Sequence, residues 1–202
     1  MPPAFTAEEK TRITALLLET GRHLFTSQGL RKTSLEELMA PTGVAKSSFY
    51  VFFDSKEDLY LELMVRQSAE VKRKVIDAAL LSAPDPREGL RRFLHATLDE
   101  LSANPLWRRL MTHPEEMQAV ARKLDPARIT AMADNPVTAL NDYLTRHQGD
   151  LVAADPAVIT GVLQCVLLVP MFADRLGDPA QFPKILGLLV DIVAAGLTSQ
   201  KE

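Results

Sequence analysis

The sequence holds a single cysteine, Cys165, among 202 residues, so it can form no disulfide within itself. It also lacks a basic excess: 23 Lys and Arg stand against 26 Asp and Glu, a net charge of −3. The balance is even along the chain, since residues 1–60 carry 7 basic against 8 acidic side chains. Bulk charge therefore supplies no general attraction to nucleic acid or to an anionic membrane, and any DNA-binding role has to rest on a motif. Alternation of apolar and polar residues, the mark of a half-buried strand, never persists beyond a few positions. The N-terminal stretch MPPAFTAEEK has neither the basic nor the apolar region of a secretory leader, which leads to the expectation of a cytoplasmic protein. The longest uncharged run, Ala157 to Ala173, falls short of the ~20 apolar residues of a membrane span. Gly161, Gln164 and Pro170 interrupt it, so it reads as a buried helix, and no membrane partner is expected.

What is present is an ordinary globular balance of 47% hydrophobic and 24% charged residues, enough to bury a core. At ~150 residues per domain the length suits one elaborated domain, or a small one joined to a larger. Helix punctuation is dense. Six prolines directly follow Asp or Asn, at Asp85, Asn104, Asp125, Asn135, Asp155 and Asp178. The acidic or amide side chain can accept from free amides of a first helical turn, and a proline just inside loses no hydrogen bond there. The class is therefore all-α. After Asp85, the residues Leu90, Phe93, Leu94, Leu98 and Leu101 form one apolar stripe on a helix ending near Asn104. The last two helices, about 157–173 and 183–198, are apolar almost all round, with Asp191 the one charge inside the Ile185–Leu197 stretch. Such helices need cover on every side, and a second copy supplies it in a homodimeric four-helix bundle. The alternative is that they are the core of the single chain.

The first sixty residues form a separate unit. Thr6-Ala7-Glu8-Glu9 has capping-box spacing and opens a helix that carries Leu17, Leu24 and Phe25 inward and stops near Gly29. Thr33-Ser34-Leu35-Glu36 repeats the device before a short helix through Leu38 and Met39. Pro41 and Gly43 break the chain, Ala45 to Phe52 allows about two turns, and Ser55-Lys56-Glu57-Asp58 caps a longer helix. Short helix, glycine-containing turn and short helix make a helix-turn-helix at about residues 33–52. In that geometry Lys46, Ser47 and Ser48 lie near the end of the second helix that meets base edges. The Thr33 and Tyr50 hydroxyls and the Lys56 ammonium are suited to phosphates, and Val44, Phe49 and Phe53 to the spine between the helices.

The stretch running Leu24-Phe25, Gly29, Thr33 to Leu38, Gly43-Val44, Lys46, Phe49-Tyr50, Phe53 and Ser55 to Leu59 resembles the N-terminal domain of the TetR family of bacterial transcriptional regulators. The resemblance covers about fifty residues; the other ~140 match in helical character alone. It implies an N-terminal three-helix helix-turn-helix domain over residues 1–55 and a helical-bundle domain for effector binding and dimerisation over 56–202. It implies a ligand-responsive regulator, most often a repressor, that binds double-stranded operator DNA as a homodimer and is released by a small molecule. Thr33, Lys46, Tyr50 and Lys56 match positions where that family contacts phosphates, and Ala45, Ser47 and Ser48 match positions facing bases. Met39 and Thr42 replace usual alanines, Pro41 stands in the turn, and Ser47 fills a common glycine position. Val51-Phe52 replaces a usual basic-plus-His pair, which predicts weakened phosphate contact. The alternative is a helical ligand-binding or interaction protein whose DNA-binding domain has little residual affinity.

No nucleophile elbow, phosphate-cradling glycine loop or HExxH is present, so neither an enzyme nor a cofactor is expected. His113, Glu115 and Glu116 lack a second histidine at helical spacing, so no metal is expected there and the two acids read as first-turn residues. Cys165 reads as a packed small hydrophobe, and Arg108-Arg109 as a solvated face or an anchor for an anionic effector. The family resemblance places an effector cavity between the middle helices and the penultimate one. Phe93, Trp107, Met111, Tyr143, Cys165, Leu168 and Phe172 are the side chains suited there to an apolar or amphipathic ligand.

Overall fold

The computed structural model describes residues 5–122 and 135–198. Among the described residues all regular structure is helical, apart from one isolated antiparallel bridge between Leu151 and Thr198. The α-helices are α1 (Ala7–Gln28), α2 (Leu35–Met39), α3 (Lys56–Lys72), α4 (Pro86–Ala103), α5 (Pro105–Thr112), α6 (Pro114–Ala121), α7 (Pro136–Arg146), α8 (Pro156–Leu168) and α9 (Phe182–Leu197). Between them lie 3-10 helices at Ala40–Thr42, Lys46–Val51, Gln148–Asp150 and Val169–Arg175, and a π-helical continuation of α3 over Arg73–Leu80. The described residues fall into two compact units, one within Met1–Gln67 and Asn104–Met132, the other within Ser68–Ala103 and Ala133–Glu202. In the first unit α3 buries Leu59, Tyr60, Leu61, Leu63 and Met64 in the core.

In the first unit α1 starts at a complete capping box: the Thr6 hydroxyl accepts from Glu9 N–H, and Glu9 accepts from Thr6 N–H at 2.8 Å. It stops at Gly29, whose φ of +83° suits glycine and whose N–H bonds Phe25 O. The cap of α2 lies one residue later than the sequence spacing suggests. Ser34, not Thr33, caps the helix, with Glu37 closing the box. Thr33 is instead buried, where its hydroxyl donates to Gly29 O, four residues back, at 2.8 Å and accepts from Gln28 Nε2 at 3.4 Å. Gly43 turns the chain at φ +71° into the Lys46–Val51 helix. Ser55 then accepts from Asp58 N–H as α3 begins. The core joins Ile13, Leu17 and Phe25 to Leu38, Phe49, Tyr60, Leu63 and Met64, and adds Leu106 of α5 and Val120 of α6. Each such buried side chain contributes about 2 kcal/mol by removal from water. A side chain at Gly21 would meet Leu59 at 3.1 Å and Leu63 at 3.3 Å, so glycine there lets α1 and α3 approach.

The second unit packs the π-helical stretch, through Val75, Ile76, Ala79 and Leu80, together with α4, α7, α8 and α9. Asp and Asn caps open four of its own and its neighbour unit's helices: Asp85, Asn104, Asn135 and Asp155 each accept from a first-turn amide. Asp178 caps a turn instead, four residues before α9, and Asp125-Pro126 lies outside the described residues. The stripe expected on α4 is present at Leu90, Phe93 and Leu94. Within the single chain, helices α8 and α9 are not covered on every side. Each buries one stripe (Ile159, Leu163, Val166 and Leu167; Val190, Ala194 and Leu197) and exposes another. With the 3-10 turns counted, Pro156–Arg175 reaches 20 residues, three more than the uncharged run. By length and composition it is long and apolar enough to cross a membrane. Its regularity breaks at Val169, with Pro170 following and non-helical φ/ψ at Phe172.

Candidate nucleic-acid interface and effector region

The Lys46–Val51 helix is held by one buried ring and presents the rest of itself outward. Phe49 is fully buried, edge-on to Tyr50 and 6.0 Å from the Phe53 ring. With Phe53 buried and Val44 packed against the same cluster, the expected spine is present. Ala45, Lys46, Ser47 and Tyr50 are exposed, Tyr50 to 62%, and Ser48 is half-exposed. Five of the seven side chains suggested for DNA therefore lie together on or beside one short helix.

The other two are anchored differently. Thr33 is buried with its hydroxyl spent on Gly29 O. Lys56 donates to the carbonyls of Arg31 (3.2 Å) and Thr33 (2.8 Å), so its ammonium ties the start of α3 to the turn before α2. Lys46 pairs with Glu36 on the surface, and that contact holds the Glu36 carboxyl below the usual carboxylate range. The unusual Val51-Phe52 pair divides its roles: Val51 is exposed beside Tyr50, and Phe52 packs on Phe5 with ring centroids 5.4 Å apart. An aromatic thus replaces a polar contact with an anchor for the chain entering α1.

Sequence reasoning missed the strongest polar cluster of this unit. The Glu116 carboxylate accepts from Arg109 Nε (3.0 Å) and Nη2 (2.7 Å), from the Tyr60 hydroxyl (3.1 Å) and from Leu30 N–H (3.3 Å). Burial pushes its carboxyl up, yet the Arg109 and Tyr60 contacts outweigh burial and hold it below the ordinary value. The Tyr60 hydroxyl is pushed up by burial and by the adjacent Glu116 charge. Glu116 lies in the first turn of α6 as expected and is in addition a fastener, and Arg109 is not a free anion anchor. The partners are 86 and 56 residues from Glu116 in sequence, so no local pattern announces them.

The suggested effector residues do not form one lining. Trp107 is buried in the first unit, where Met111 also belongs, although the Met111 side chain is outside the described set. Phe93 and Tyr143 are buried in the second unit. Cys165, Leu168 and Phe172 are exposed; Cys165 in particular is not packed as a core hydrophobe. An open groove of about 430 Å³ in the second unit is lined by others, among them Lys72, Ile76, Asp77, Asp142 and Arg146. No cluster of three His, Cys, Asp or Glu side chains suited to a metal occurs among the described residues.

Comparison with known proteins matches this architecture. Residues 17–63 match the family described as "Bacterial regulatory proteins, tetR family". The HTH-type transcriptional regulator YhgD of Bacillus subtilis (strain 168), itself uncharacterised, is 24% identical over 190 residues, covering 91% of this chain and 96% of that protein. YuxN of the same organism, described in the same words, is 19% identical over 93% of this chain, which spans 65% of its length. The crystal structure of a TetR family transcription regulator from Marinobacter aquaeolei VT8 shares the fold. Its TM-score is 0.70 at 16% identity, over 96% of this chain and 100% of that one. The helix-turn-helix segment therefore matches the tetR family of bacterial regulatory proteins over residues 17–63, and the chain as a whole shares its fold with a solved TetR family regulator.

Proposed function

We propose that the protein is a ligand-responsive transcriptional repressor of the cytoplasm, binding double-stranded operator DNA as a homodimer and released by a small apolar or amphipathic effector. The observation that carries this reading is the outward face of the Lys46–Val51 helix, with Ala45, Lys46, Ser47, Ser48 and Tyr50 clear of the core that Phe49 secures. Thr33 and Lys56 shape the turn behind that face and bring its backbone to the phosphates. In functional terms residues 1–55 read DNA, and residues 56–202 bind effector and partner. Dimerisation runs through α8 and α9, whose exposed stripes carry Val158, Val162, Ile185, Leu188 and Ile192, the last two 62% and 58% exposed. Two such stripes from each copy complete a four-helix bundle and remove a patch that water disfavours. Effector binding acts by biasing the spacing of two recognition helices away from half-sites about one helical turn apart.

Lys46→Ala with Tyr50→Ala removes binding to a duplex from the chain's own upstream region while the dimer persists in sedimentation. Leu188→Asp yields monomers. Unchanged DNA binding in the first variant overturns the assignment of this helix. The exposed Val51 and the Phe52–Phe5 contact favour a second reading, a helical binding protein of little DNA affinity. That reading predicts equal, weak binding to operator and scrambled duplexes.

A further inference from the structure

Two polar side chains inside the first unit have no hydrogen-bond partner among the described residues. Gln67, on α3 one turn beyond Leu63 and Met64, is 1% exposed, and neither its amide nitrogen nor its amide oxygen meets a partner. Trp107 of α5 is 7% exposed and its Nε1–H is likewise unpartnered. Both lie in the first unit, and their helix neighbours Leu63, Met64 and Leu106 belong to its apolar cluster. Buried polar groups in folded proteins are nearly always paired, because dehydration without a hydrogen bond is costly. A leucine at position 67 would continue the apolar stripe without that cost. Glutamine there makes sense where a guest supplies the missing bonds.

The chemistry of the two groups defines the guest. A carboxamide offers two donors and one oxygen acceptor, and an indole offers one donor. Neither carries charge, and Arg109, the nearest cation in sequence to Trp107 apart from Arg108, spends its Nε and Nη2 on Glu116. A buried ion would find no counter-charge at these two groups, whereas a neutral oxygen or amide would be matched. We propose that Gln67 and Trp107 are the polar anchors of the effector site, and that the effector is an uncharged amphipathic molecule with a hydroxyl or amide group for Gln67 and an apolar body. This rests on the effector-responsive reading above and assigns to that site a ligand class and an anchor the sequence did not suggest.

Trp107 is the sole tryptophan of the chain, so its fluorescence reports the site directly in the intact protein. The probes are decanamide, decanol and decanoate, matched in tail and differing in head. Decanamide and decanol change the emission saturably, and decanoate at pH 8 binds at least tenfold more weakly. Gln67→Leu weakens decanamide about tenfold, the loss of one neutral hydrogen bond. The same variant melts at a higher temperature than the wild type, because it removes an unpaired buried amide. A Gln67→Leu protein that melts higher yet binds decanamide as before overturns the proposal, since the amide is then only a core group. Decanoate binding as tightly as decanamide overturns the ligand class, and no saturable change with either neutral probe overturns the site. Operator binding is measured on the same samples without probe: its absence defeats the regulator reading, whereas a failure confined to the fluorescence arms defeats this inference alone.

Discussion

Replacing Glu116 by glutamine tests whether the α5–α6 segment is fastened into the first unit by charge. The substitution keeps the shape and one acceptor, but it faces an Arg109 guanidinium that is only 19% exposed with an uncharged amide. Removing one partner of a fully buried pair costs ~3–5 kcal/mol, and partial solvent access at Arg109 brings the expected loss to about 2–3 kcal/mol. For a chain of this length that is a fall in Tm of about 5–10 °C at fixed protein concentration. The pH dependence follows from the same carboxyl. Its folded value lies below the usual 4.5, so its stabilisation is complete above that pH and is lost as pH falls through the folded value. Urea melts of wild type and Glu116→Gln should therefore differ by a constant amount from pH 5 to 8 and draw together as the pH falls below 4.5. A loss under about 0.5 kcal/mol at pH 7, or a gap that persists undiminished into acid, refutes the account.

Other consequences are as direct. Ser34→Ala should cost about 1 kcal/mol by removing the cap of α2, measured by urea denaturation. Tyr60, pushed above its ordinary 10.0 by burial and then by Glu116, stabilises the fold fully below that pH. Absorbance at 295 nm should show its phenolate only as the chain unfolds above pH 10, and Tyr60→Phe should abolish that step. On DNA, Lys46 shares its charge with Glu36, and Val51 and Phe52 supply none. A log-log salt titration should then have a slope of about −4 to −5, the release expected for some five phosphate contacts, and a slope near −10 would refute this.

Much of the fold is written locally. The capping side chains at Thr6, Ser55, Asp85, Asn104, Asn135 and Asp155, the left-handed glycines at 29 and 43, and the apolar stripes of α1, α3 and α4 act within a few residues of themselves. The helix-turn-helix is legible for the same reason, because Phe49 and Phe53 recur at a helical spacing that puts both on the inner side. Where the reading slipped, a distant partner had decided. Cys165, Leu168 and Phe172 sit in a run that reads as wholly buried, yet the packing of α8 turns Ile159, Leu163 and Val166 inward and these outward. Glu116 is the first-turn acid the sequence suggests, but its bonds to Tyr60 and Leu30 come from across the chain. By itself the sequence determined the helices, their ends and the recognition segment, since those depend on neighbours three and four residues away. Only the tertiary structure decided which polar groups are paired, which of Arg109, Glu116 and Gln67 are buried, and which apolar faces remain for a partner, because those depend on surfaces brought together from far apart.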